Sequence, residues 1–176
     1  MWYNDNIVFR EVVMLEDKIY LTADGYKQYC EEIEKIEAEL LKNTDYKVQA
    51  ISEAPGDGWH DNFAYEDACR NERMLQKRLE QLLKQKGKIE LIDSSICDQN
   101  LVNIGDVVKL EFMYADGDTE LEEVRLTGNW KVSLDELAQE VSLNSPLGRA
   151  IYLKKIGSIV SYSVNDREIR IEILDK

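Results

Sequence analysis

Residues 53–68 read EAPGDGWHDNFAYEDA and gather Asp57, Trp59, His60 and Asp61 around a Pro-Gly break. Carboxylates and imidazoles move protons near neutral pH, and an exposed indole offers a stacking surface. Two Asp, a His and a Trp are more than a turn needs to reverse the chain. Yet no nucleophile paired with a base and no cage of metal ligands is visible in the sequence, which argues against a stand-alone hydrolase. The stretch is therefore either a solvated turn or a set of side chains presented to another molecule.

The flanking segments decide how such a loop would be held. LTADGYKQYCEEIEKIEAELLKNTDYKVQAISEA opens with Thr22 as a helix N-cap and Asp24 in the first turn. Tyr26, Tyr29, Ile33, Ile36 and Leu40 recur at three and four residues, the stripe of a coiled-coil seam, and Val48 and Ile51 are expected to resume it. Run to about Ala54, this helix would have about 33 residues and a length near 50 Å. Pro55 and Gly56 stop it. In DNFAYEDACRNERMLQKRLEQLLKQKGKIE, Ala68, Leu75, Leu79 and Leu82 share a stripe, Asp61 is the expected N-cap, and Gly87 the expected stop. Two such helices pack as an antiparallel hairpin, with residues 55–61 at its far end.

Composition narrows the class. The chain has 176 residues, 44% of them apolar, enough for a core. No run of about 18 apolar residues occurs, and the N-terminus carries acids where a signal peptide is basic, so a cytoplasmic protein is expected. Cys30, Cys69 and Cys97 are far apart and form no CxxC pair, so neither a disulfide framework nor a thiolate zinc site is expected. The net charge of -13 opposes nonspecific nucleic-acid binding by the whole surface. Residues 61–90 depart from that balance with six acids and seven bases. Such a run is either a solvated helix face or a track for a nucleic acid or an acidic partner.

Beyond residue 100 the period changes from helical to alternating. VNIGDVVKLEFMY reads as a strand, ADGDTE as a hairpin turn, and LEEVRLTG as the return strand. SLDELAQEV has Ser133 and Glu136 in capping-box spacing and predicts a short helix. SPLGRAIYLKK predicts another, started by Pro146, followed by SIVSYSV and REIRIEIL as closing strands. The expected class is α+β: a long α-helical coiled-coil hairpin over 18–92 and a compact sheet domain over 100–176. Residues 1–17, which include NIVFREVVML, read as an extension ahead of both: an added strand, a partner arm, or residues ahead of a start at Met14.

Taken in order, IYLTADGYKQYCEEIEKIEAEL, NFAYEDACRNERMLQKRLEQL, VNIGDVV, LTG, NSPLGRAI and KKIGSIVSYSV resemble the bacterial Gre transcript cleavage factors, GreA and GreB. The resemblance covers residues 18–176 and implies that the sheet domain is FKBP-like and antiparallel with short helices. It also implies that the hairpin enters the secondary channel of a backtracked RNA polymerase, with the rim of that channel as a further contact. The tip acids would then help hold a Mg²⁺ in the polymerase active site, and the polymerase would hydrolyse its own extruded RNA. Mg²⁺ takes oxygen ligands and keeps positions open for others, and two-metal catalysis stabilises attacking and leaving oxygens. On this reading the chain is not itself an enzyme and has no cofactor, small-molecule substrate or membrane of its own. Its partners are the polymerase and the 3′ end of the nascent RNA, and Mg²⁺ is shared.

Carried over by position, the resemblance implies catalytic and metal-sharing roles for Asp61 and Asp57. The Asp61-Asn62 pair matches the family's Glu-Asn with one methylene less, whereas Asp57 lies one residue farther away than in the family pattern. Helix capping is the competing role for Asp61. Trp59, His60 and Asn62 are expected as candidate contacts to polymerase or RNA. His60 has no family counterpart and remains open as a solvated residue, a contact, or a proton-transfer partner; Trp59 is a stacking platform or a staple on Phe63. Arg70, Arg73, Lys77 and Arg78 correspond to a family patch for the RNA 3′ segment, or else make ion pairs across the hairpin. The altered tip spacing leaves a second reading, a polymerase-binding regulator that occupies the channel without stimulating cleavage. A third reading, prolyl isomerase, has little support: Phe112, Tyr114, Trp130, Tyr152 and Tyr162 are scattered, and fold alone does not establish function.

Overall fold

The computed structural model of the chain describes residues 18–53, 62–94, 98–114, 117–132, 139–165 and 167–176. The extension at 1–17 and the tip at 55–61 lie outside the described residues, as does Cys97.

Helix α1 (Ala23–Ser52) starts where expected: the Thr22 hydroxyl accepts the Gly25 N–H at 3.1 Å. Its 30 residues make a rod of about 45 Å. Helix α2 (Phe63–Lys86) runs back along it and stops at Gly87. On α1 the buried residues Tyr29, Ile36, Asn43 and Ala50 recur every seven positions, with Tyr26, Ile33, Leu40 and Lys47 half-buried between them. On α2, Ala68 and Leu82 are buried and Leu75 and Leu79 partly so, the stripe expected there. The seam does not pass through Val48 and Ile51, which are 62% and 53% exposed. Continued from Tyr26 and Tyr29, the heptad falls on Lys47 and Ala50, and each of those apolar residues is one position, about 100°, past it.

Two short strands absent from the sequence reading close the base of the rod. Strand β1 (Ile19–Leu21) pairs in parallel with β2 (Ile89–Leu91), so the chain enters and leaves the hairpin side by side. Beyond it, β3 (Val107–Met113), β4 (Thr119–Thr127), β5 (Gln139–Ser142), β6 (Ile159–Val164) and β7 (Arg167–Asp175) form one sheet in the order β5-β4-β3-β7-β6. Its neighbours are antiparallel as expected, except that β5 joins β4 in parallel. Helix α3 (Pro146–Ile151) lies between β5 and β6, capped by the Ser145 hydroxyl, which accepts the Gly148 N–H at 3.0 Å. Val108, Leu110, Phe112, Val124, Leu126, Ile171 and Ile173 point to one face of the sheet and bury there against Ile151 and Leu143. The architecture is α+β, a helical hairpin plus a sheet domain.

The helix expected over SLDELAQEV is corrected at its C-terminal end. Gln139–Ser142 is strand β5, and residues 133–138 lie outside the described set. Val124–Thr127 of β4 offer an open edge, and the ladder from Val124–Gln139 to Thr127–Ser142 holds Gln139–Ser142 extended.

The two parts meet through tight polar contacts. The Gly128 carbonyl accepts the Thr22 N–H at 3.0 Å, and the Asn144 amide exchanges two hydrogen bonds with the Tyr20 backbone at 2.7 and 2.8 Å. Arg149 donates to the Lys18 carbonyl at 3.0 Å, and Lys131 pairs with Glu32 of α1. Trp130 packs edge-on against Tyr29, ring centroids 4.9 Å apart. A β-carbon on Gly25 would sit 2.2 Å from the Gly128 carbonyl oxygen, so only glycine permits this approach.

Candidate functional site

The described hairpin ends at Glu53 and Asn62, and its last turns show how the two helix ends are held. The final four carbonyls of a helix lack partners within it. At the end of α1, Glu53 N–H is shared between the Gln49 and Ile51 carbonyls, and the Ser52 hydroxyl donates to Gln49 O at 2.8 Å. The Ala50 carbonyl takes the Asn62 side-chain N–H across the hairpin, at 2.8 Å. Asn62 also caps α2, its Oδ1 accepting the Tyr65 N–H at 3.0 Å. The cap expected at Asp61 is therefore made one residue later. Asp and Asn cap equally well, so sequence alone did not separate adjacent candidates; the alignment of Asn62 with Tyr65, three residues on, does.

Below the tip the seam turns polar. Asn43, 7% exposed, donates to the Ala68 carbonyl at 2.8 Å and accepts from Asn71 at 3.0 Å. Lys47 bonds Glu72 at 2.6 Å, and its ammonium also stands 5.7 Å from the centre of the Tyr65 ring. The hydrogen bond to Glu72 raises the Lys47 pKa above its ordinary value, against the opposing effect of burial. With Tyr29 OH donating to the Leu82 carbonyl at 2.7 Å, three side chains bond backbone carbonyls of the facing helix along the rod. Slip of one helix along the other would break all three.

The four basic residues all lie on α2 and are exposed. Arg70 stands 3.9 Å from Asp67 on its own helix, and among the described residues Arg73, Lys77 and Arg78 are in no salt bridge. Arg78 is near enough to help lower the Glu32 pKa, the first cause of which is the Lys131 hydrogen bond. Among the described residues no salt bridge across the hairpin holds Arg70, Arg73 or Lys77, and Arg78 reaches Glu32 of α1 only through the longer-range charge interaction. Phe63, 78% exposed, and Met74, 59% exposed, share their surface. Steps of seven residues turn a helix by only about 20° from alignment, so Phe63, Arg70 and Lys77 form one line. That spacing was the available signal for Phe63, which was read only as a staple for Trp59. Asp57, Trp59, His60 and Asp61 lie outside the described residues.

One groove, of 1170 Å³, is lined by Asp98, Asn100, Leu153, Lys155 and Lys176 among others, and by none of the five aromatic residues of the sheet domain. Trp130 is on the hairpin and Tyr114 bonds Glu120 at 3.1 Å. That groove does not supply the aromatic lining that a prolyl-isomerase reading requires.

Residues 98–175 match the family model described as the C-terminal part of transcription elongation factor GreA/GreB. Transcription elongation factor GreA of Chlorobaculum parvum is 30% identical over 162 residues, spanning 92% of this chain and 98% of that protein. GreA of Clostridioides difficile is 28% identical over 163 residues, spanning 92% and 98%. Among solved structures, the transcription factor Gfh1 is 16% identical, covers 90% of this chain and 96% of its own, and superposes with a TM-score of 0.42.

Proposed function

Because the chain belongs to the GreA/GreB family of transcription elongation factors, we propose that it binds RNA polymerase and stimulates cleavage of backtracked RNA. The hairpin would occupy the secondary channel, its base and sheet domain would stay at the rim, and residues 55–61 would meet the polymerase active site. Among the described residues no helix is long and apolar enough to cross a membrane, which is compatible with this role.

The observation that most supports a working tip is the cap made by Asn62. With Asn62 as the cap, α2 does not call on Asp61 for that role, and the proposal assigns the Asp61 carboxylate to a hard cation. Asp57 would be the second donor. Two carboxylates are too few to enclose Mg²⁺, which fits an ion shared with the polymerase. Mg²⁺ supplies stabilisation of the attacking and leaving oxygens; this chain supplies reach, carboxylate oxygens and a basic flank. Arg70, Arg73, Lys77 and Arg78, with Phe63 beside them, would follow the RNA 3′ segment, the arginines and lysine on phosphates and the ring on a base.

The test is RNA shortening in stalled, backtracked elongation complexes with wild type, Asp57→Ala and Asp61→Ala side by side. Wild type should shorten the RNA in a Mg²⁺-dependent way. Asp61→Ala should lose about a hundredfold, the scale of one positioned electrostatic contact, without losing polymerase binding. Asp57→Ala should lose less. Full activity of Asp61→Ala would remove that residue's role, and wild-type binding with no cleavage at any Mg²⁺ concentration would select the channel-occupying regulator instead.

A further inference from the structure

Asn62 makes two bonds, and only one of them is a cap. The Oδ1 bond to Tyr65 N–H caps α2; serine, threonine or aspartate would do the same. The Nδ2 bond to Ala50 O joins the opposite helix, where Ala50 is buried two residues before α1 ends. An amide is the side chain that offers an acceptor to one helix and a donor to the other from a single planar group. We infer that Asn62 is a positioning residue: it ties the end of α1 to the start of α2 and so fixes the two points from which the tip departs. The tie explains why the seam can turn polar at Asn43 and Lys47 without the helix ends parting. Its consequence for RNA cleavage rests on the function proposed above, whereas the tie itself stands on the hydrogen bonds. A misplacement of about 1 Å can cost about a hundredfold in rate, so a clamp at the root of the tip has leverage on whatever the tip does.

Three substitutions separate the two bonds. Asn62→Ser keeps a capping oxygen but its short hydroxyl does not reach Ala50, and Asn62→Asp keeps the cap while setting an oxygen against the Ala50 carbonyl. Asn62→Ala loses both and reports the full cost. In the free protein, hydrogen exchange at the amides of Ser52 and Glu53 should speed at least about tenfold in the Ser and Asp variants, with the amides of Ile33 and Ile36 unchanged. In backtracked complexes, both variants should lower the cleavage rate at saturating factor at least about tenfold while the half-saturating concentration stays within about twofold. Unchanged exchange at Ser52 and Glu53 overturns the clamp whatever the RNA does. Wild-type cleavage by the variants overturns the positioning role, and a loss carried wholly by the half-saturating concentration overturns it and makes Asn62 a direct contact. Failure of the wild type to cleave overturns the proposed function alone, and the exchange measurement then decides the clamp.

Discussion

A phenol at the centre of a helical seam must either donate its proton or leave a polar atom stranded. Tyr29 is fully buried, donates to the Leu82 carbonyl at 2.7 Å and is held on one side by Trp130. Burial, the largest cause, pushes its pKa above the usual tyrosine value, which keeps the donor protonated. Tyr29→Phe retains the ring and removes only the bond, so urea unfolding at pH 7 should show a loss of about 1 kcal/mol. The sign of the pH effect follows. A folded-state pKa above the unfolded one gives stability that is complete below the ordinary tyrosine pKa of 10.0 and is lost as pH rises through the folded value. Wild type and Tyr29→Phe should therefore stay apart up to about pH 9 and converge above it; a constant gap would mean that the hydroxyl is not buried as described. Asn62 shows the same economy of polar groups, since each end of its amide has a backbone partner.

The hairpin as an element is asymmetric along its length. Its lower half buries Tyr29, Ile36 and Leu82, whereas its upper half buries Asn43 and Ala50 and crosses the seam with Lys47 and Glu72. Ile36→Ala should lower unfolding free energy by about 2–4 kcal/mol because it leaves a cavity in the apolar half. Val48→Ala should change it by no more than about 0.5 kcal/mol, since Val48 faces solvent. Equal losses at the two positions would restore the seam through Val48 and Ile51. The lower seam was legible in the sequence because its heptad positions are apolar. The upper seam was not, since the heptad there carries Asn43 and Lys47 while the apolar residues sit one step off. Strand β5 was illegible for a different reason: four residues with a capping box upstream contain nothing that names β4 as a partner. For the tip, the carboxylates could be named from the sequence, but the choice of Asn62 over Asp61 as cap depended on which side chain meets Tyr65.

In the whole molecule, the blocks that made the sequence recognisable turn out to be where the rod is bolted to the sheet domain. Thr22 and Gly25 of LTADG meet Gly128 of LTG, and Asn144 and Arg149 of NSPLGRAI bond the backbone of Tyr20 and Lys18. The direction in which the rod projects is thus set by short contacts that tolerate little added volume. Alanine in place of a helical glycine normally stabilises by about 0.5–1 kcal/mol. At Gly25 the new β-carbon would lie 2.2 Å from a backbone oxygen, and overpacking of about 1–3 kcal/mol should win, so Gly25→Ala should lower the thermal midpoint. A rise would mean that the junction yields easily. The junction also carries a charge contact that acid should release. Lys131 bonds Glu32 at 2.5 Å, and that hydrogen bond, the largest cause, holds the Glu32 pKa below its ordinary value of 4.5. A lowered folded-state pKa gives stability that is complete above the unfolded value and disappears as pH falls through the folded one. Lys131→Met should therefore melt below wild type at pH 7, with the difference closing as the pH is taken below about 4.5. Because the Lys131 side chain is 59% exposed, salt should shrink the difference as acid does. A gap that persists in acid would assign the effect to the stem of Lys131 packing on α1, leaving the charge pair no part in holding the rod to the sheet.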